Sequence, residues 1–221
     1  MEAINIIPFF IGAFILGFSH AFEPDHMAVV SNYVYKSSSF KRSAAMGVFW
    51  GSGHTLALMM AGTILMVFKI VIPEHISGYF DYLIGLLLIG FGVNIFYRLI
   101  KSRTHIHIHD HQGKKHLHFH SHADHNNHEH SHRSFLFGIL HGLAGTSSLM
   151  LIMISSIDSY KLGIPFILIF GIGSIIGMLI FSLTLWLSFN FTFKSFPNVN
   201  RAASYLTAAF SLFVGVQIIF F

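Results

Sequence analysis

His20-Ala21-Phe22-Glu23-Pro24-Asp25-His26 sets two imidazoles, two carboxylates and a proline inside a largely apolar stretch that runs from about residue 4 to residue 35. Ionisable groups are costly to hold at membrane depth and mark functional sites by default. As one helix, at about 1.5 Å per residue, the stretch would measure about 48 Å, against a hydrocarbon core of about 30 Å. A single straight helix does not fit. Pro24 is the expected break, because it has no N–H for the His20 carbonyl and its ring clashes there. On an unbroken helix His20, Asp25 and His26 would point in three directions. A kink between them re-aims the side chains and frees carbonyls, so that both can meet one ion.

The rest of the chain reads as membrane protein. Hydrophobic residues make up 53% and charged residues 10% of the 221, and the charges cluster between long apolar runs. The expected fold is all-α, with six transmembrane helices at about 4–34, 44–72, 79–100, 134–157, 162–190 and 202–221. The first run lacks a basic leader and a small-x-small cleavage site, so it is read as a retained helix. Three units follow: residues 1–100 and 134–221 as two three-helix repeats, and 101–133 as a histidine-rich loop between them.

Basic residues orient the expected spans. Lys36, Lys41, Arg42, Arg98, Lys101, Arg103, Lys114, Lys115, Arg133, Lys194 and Arg201 fall on one side, and only Lys69 and Lys161 on the other. By the positive-inside rule both termini lie outside and the 101–133 loop is cytoplasmic, in a multi-pass protein of the plasma membrane. This charge reports topology and lipid contact, so the net +4 does not argue for nucleic acid. The chain has no cysteine, which excludes a thiol–disulfide carrier, an iron–sulfur protein and a thiolate metal site.

The halves match in order. The offsets are 121 residues from His20 to His141, 120 from Gly51 to Gly171 and 123 from Tyr82 to Tyr205. Three spans per copy invert the second copy relative to the first, as in transporters whose site lies near the midplane on broken helices. Gly47 and Gly51, Gly138 and Gly142, and Gly173 and Gly177 have the small-xxx-small spacing of close helix pairs.

Imidazole and carboxylate without thiolate suit Ni(II), Co(II) or Zn(II) better than Cu(I). The candidate metal residues are His20, Asp25, His26, His54 and His141, the last being the repeat mate of His20. Glu23, Asn94 and its repeat mate Gln217 are possible accessories, the two amides fitting interhelical hydrogen bonds better than substrate contacts.

The His-x4-Asp-His spacing of His20, Asp25 and His26 resembles the signature of the nickel/cobalt transporter superfamily, where that motif belongs to the ion path. The surrounding Gly17–His26 run, Gly51-Ser52-Gly53-His54-Thr55 and Leu140-His141-Gly142-Leu143-Ala144-Gly145 more closely resemble its shorter six-span NicO or UreH-like branch. The chain departs from the eight-span permeases, having fewer expected spans and no Asp-Thr-Ala-Thr-Glu run. The resemblance implies a secondary transporter rather than an enzyme, with the metal as cargo and no resident cofactor. It tilts the direction towards uptake. It also implies a cytosolic metal chaperone, or a urease or hydrogenase maturation protein, as partner.

Twelve of the seventeen histidines lie in or beside the loop: His105, His107, His109, His111, His116, His118, His120, His122, His125, His128, His130 and His132. Their alternation with apolar residues suits ligands along one side of an extended segment. Such tracts bind divalent metal when the imidazoles are neutral, so the loop is read as gathering or buffering cytosolic metal.

Other readings predict other features. A nickel, cobalt or zinc efflux protein would use the loop to collect metal, although the cation-diffusion class of zinc exporter normally adds a cytosolic domain after its last span. A membrane haem protein would take His20, His54 or His141 as axial ligands. No Gly-x4-Gly-Lys-Ser/Thr phosphate loop is present, and the His-Glu-x-x-His spacing occurs only in the histidine-rich tract, as His128-Glu129-His130-Ser131-His132, and not within an expected span.

Overall fold

Pro24 opens a helix instead of interrupting one. In the computed structural model, which describes residues 6–34, 37, 39–69, 74–101, 108–111, 114–117, 129–144, 159–195 and 197–220, α1 spans Ile6–His20 and α2 spans Pro24–Val34. The two axes meet at 55°. Proline at the first helical position sacrifices an N–H that would have no helical partner anyway. Inside the break Phe22 N–H donates to Ser19 O and Glu23 N–H to His20 O, each at 3.0 Å. The His20 carbonyl is therefore occupied by the turn, and the expectation that freed carbonyls join an ion site is corrected for that group.

The other helices are α3 (Phe40–Phe68), α4 (Glu74–Lys101), α5 (Glu129–Ala144), α6 (Tyr160–Ser195) and α7 (Pro197–Phe220). Ser39 caps α3, its hydroxyl accepting from Arg42 N–H, and Lys69 ends it in the left-handed region at φ 51°. Among the described residues, four helices are long and apolar enough to cross a membrane, and the bent α1–α2 pair makes a fifth span if taken together. This is a multi-pass helical membrane protein. The expected fourth span, 134–157, is represented by the apolar part of α5, Ser134–Leu143, while residues 145–158 lie outside the described ones.

Two strands interrupt the expected all-α reading. Ile108–His111 and Lys114–Leu117 pair antiparallel, with His109 opposite His116. The reason is the period-2 alternation of histidine with other residues, which suits a strand and not a helix. The ends of the expected 101–133 loop are helical, Lys101 closing α4 and Glu129–Arg133 opening α5. Most of the remaining loop histidines fall outside the described residues.

Glycines decide the packing. α3 lies against both α5 and α6, α1 lies on α6, and α4 pairs with α7. A methyl group added at Gly17 would collide with the carbonyl of Phe170, and one at Gly138 with that of Trp50. Gly53 meets Phe135 and Gly173 meets Phe14 in the same way. Backbones at these points touch directly, the arrangement small residues permit where lipid supplies no hydrophobic drive between helices. Gly85 and Gly215 bring α4 and α7 together likewise.

The half-helix α2 fills the middle, touching α7, α6, α4 and α3. Val29, Val30 and Val34 of α2 join Trp50, Ile84, Leu88, Met178 and Val214 in the main core. Buried Asn32 donates to Ser211 at 3.2 Å, and Ser211 donates to the Leu88 carbonyl at 2.8 Å, tying α2 to the α4–α7 pair. Large apolar side chains such as Ile7, Leu86, Phe191 and Phe213 face outward, as lipid requires.

Candidate metal centre

Four helices each deliver part of one histidine cluster. His20 closes α1, Asp25 and His26 occupy the first turn of α2, His54 sits mid-α3 and His141 lies in the last turn of α5. The break turns His20 and His26 towards each other, with ring centroids 4.4 Å apart. His54 lies 5.4 Å from the His20 ring and 5.0 Å from the His26 ring, and His141 lies 4.5 Å from His26. His26 and His54 are wholly buried, and His20 and His141 nearly so.

Two carboxylates back these rings. Asp25 Oδ1 lies 3.0 Å from His26 Nδ1, and Asp25 Oδ2 lies 3.0 Å from His141 Nε2. Glu23 Oε1 lies 2.9 Å from His20 Nδ1, with Glu23 47% exposed at the mouth of the break. His20 Nε2, His26 Nε2 and both nitrogens of His54 are buried without a hydrogen-bond partner. Such atoms are expensive to leave unsatisfied, so four in one cluster point to a ligand. Two three-residue sets have their ligand atoms within 4.8 Å of one another: His20, His26 and His54, and Asp25, His26 and His141.

All five residues expected from sequence to bind metal thus lie in one cluster, as two overlapping sets that share His26, and Glu23 reaches His20. Asn94 and Gln217 do not. Asn94 is exposed and accepts from Arg98 Nε at 3.1 Å, and Gln217 is exposed on α7. Among the loop histidines, His109, His111 and His116 lie on the hairpin and His130 and His132 on α5, while the others lie outside the described residues.

Sequence reasoning missed Trp50 and Phe170 as walls of the site. The Trp50 ring stands 5.5 Å from His26 and 5.4 Å from His141, and Phe170 stands 5.4 Å from His20. A signal existed for Trp50, which precedes His54 by four residues and so shares its helix face. These walls exclude water from the rings.

A family model for the cytochrome c biogenesis protein transmembrane region matches residues 12–217. The urease accessory protein UreH of Bacillus sp. (strain TB-90) is 30% identical over 217 residues, which cover 98% of this chain and 92% of that protein. No solved structure matches.

Proposed function

The chain belongs to the cytochrome c biogenesis transmembrane-region family, on the UreH-like side that its motifs resemble, and we propose that it is a secondary transporter of Ni(II) or Co(II) whose site is the His20–Asp25–His26–His54–His141 cluster. The observation carrying this reading is the convergence of five side chains from four helices around four unpartnered, buried ring nitrogens. The 221 residues hold no cysteine, so this scaffold offers imidazole and carboxylate where a thiol relay would need sulfur. The direction we propose is uptake, and the cytoplasmic side we propose for the histidine-rich loop suits a receiver of incoming metal. A cytosolic chaperone or maturation protein would take it from there.

Matching contacts support an inverted repeat. Under the sequence offsets Gly17 corresponds to Gly138 and Trp50 to Phe170, and the contacts observed are Gly17 with Phe170 and Gly138 with Trp50. Copies joined this way are interlaced, since α1 packs on α6 and α3 on α5. Rocking one copy against the other, the simplest scheme for such repeats, would tear backbone contacts made through glycine. The weaker boundary runs elsewhere. Among the described residues, no glycine contact joins the α4–α7 pair to α1, α3, α5 or α6. We therefore assign the movement to α4–α7 with α2, against a fixed α1–α3–α5–α6 body. That motion draws Asp25 and His26 away from His20, His54 and His141, opening the cluster.

Metal flux into sealed proteoliposomes of known orientation tests the reading, with Ni(II), Co(II) and Zn(II) supplied in turn. Saturable nickel or cobalt flux, lost in His26→Ala, is the expected result. Flux of none of these metals in oriented vesicles holding folded protein would overturn it.

A further inference from the structure

The two overlapping sets of ligand atoms are not equivalent, and hydrogen bonding separates them. In the set of Asp25, His26 and His141 the atoms already bind one another, at 3.0 Å on each side of the carboxylate. In the set of His20, His26 and His54 the inward nitrogens bind nothing.

An ionised carboxylate only accepts hydrogen bonds, so each ring nitrogen it contacts carries the proton. Asp25 thereby fixes the proton of His26 on Nδ1, and Glu23 fixes that of His20 on Nδ1. In a neutral imidazole the other nitrogen then presents a lone pair. Those lone pairs, on His20 Nε2 and His26 Nε2, are the buried orphans, and they belong to rings that bring ligand atoms within 4.8 Å of one another together with His54.

We infer, resting on the transporter reading, that the cation is held by three neutral imidazoles, of His20, His26 and His54, and that Asp25 and Glu23 are positioning residues that do not touch it. Asp25 also anchors His141 through its second oxygen, so one carboxylate orients rings from α2 and α5. A carboxylate hydrogen-bonded behind a ligating histidine raises the ring's basicity and holds its orientation. Here two such carboxylates supply two negative charges one ring away from a dipositive cargo, which offsets the cost of holding that charge at membrane depth.

The arrangement also sets specificity. Mg(II) and Ca(II) are hard ions that need oxygen ligands, and a first coordination sphere of three nitrogens offers them none. Nickel, cobalt and zinc accept imidazole readily. Keeping both carboxylates occupied by N–H groups is therefore what excludes the abundant hard cations.

The test uses full-length protein in which the twelve histidines from His105 to His132 are replaced by asparagine, so that Co(II) reports the buried cluster alone. Visible absorption and X-ray absorption fine structure of bound Co(II) then count imidazole and carboxylate ligands. Three imidazoles and no carboxylate are expected. Asp25→Asn and Glu23→Gln should keep that spectrum and weaken binding by about 10- to 100-fold. His54→Ala should lose one imidazole. A carboxylate lost from the coordination sphere in Asp25→Asn, or an unchanged imidazole count in His54→Ala, would overturn the assignment. Should Asp25→Asn fail to give monodisperse protein, Glu23→Gln decides in the same way. Absence of Co(II) and Ni(II) binding before any cluster substitution would instead overturn the transporter reading.

Discussion

At the residue scale, the account makes the buried imidazoles indispensable and ranks the groups behind them second. His26→Ala and His54→Ala are each expected to reduce nickel or cobalt flux by more than about a hundredfold, exceeding the loss typical of a supporting group. Trp50→Ala should leave the metal spectrum intact but weaken binding, because it admits water to rings now walled off at 5.4 and 5.5 Å. Flux into oriented proteoliposomes checks the first, and isothermal titration with Ni(II) the second. The five candidates were legible in sequence because polar groups in an apolar run are conspicuous and costly. The role of Asp25 was not. Which nitrogen of a histidine carries its proton depends on a partner brought in by folding, and His141 lies 116 residues away from Asp25 in sequence.

At the element scale, two features assemble the site: a broken first span and glycines that let its neighbours approach. Gly17→Ala and Gly138→Ala place a methyl against a carbonyl of the facing helix, and each should cost about 1–3 kcal/mol or more of stability. Gly12→Ala and Gly90→Ala meet nothing within 4 Å and should be neutral or stabilising, since alanine favours a helix by about 1 kcal/mol over glycine. Thermal unfolding in detergent distinguishes the two pairs. The break itself was readable from Pro24 and the length of the apolar run. The fate of the His20 carbonyl was not, because the short turn that satisfies it is a local choice sequence does not dictate. The hairpin was half readable: alternation predicted extended chain, but the pairing of Ile108 with Leu117 needed the structure.

At the scale of the whole molecule, the proposed motion separates two bodies that no glycine contact joins among the described residues. Phe91 of α4 and Phe137 of α5 meet edge-on across that boundary with ring centroids 5.5 Å apart, while the rings of Phe9 of α1 and Phe166 of α6 lie tilted against each other within the fixed body at 5.2 Å. In a chain without cysteine, Phe91→Cys with Phe137→Cys can be joined by a short bifunctional thiol reagent, and flux should stop. The pair Phe9→Cys and Phe166→Cys, joined likewise, should retain most flux. Replacing the twelve loop histidines by asparagine should preserve maximal flux while raising the half-saturating metal concentration. The sequence offsets propose a correspondence between segments and say nothing of which ones touch, because contact is set by packing. The packing of α1 on α6 and of α3 on α5 is therefore a finding of the structure alone.

Anomalous X-ray scattering at the cobalt edge, from crystals of the full chain grown with Co(II), would locate the cation directly. The account predicts a peak at a metal–nitrogen distance of about 2.1 Å from His20 Nε2, His26 Nε2 and His54. Anomalous density confined to the histidine-rich loop, with none among the buried rings, would contradict it.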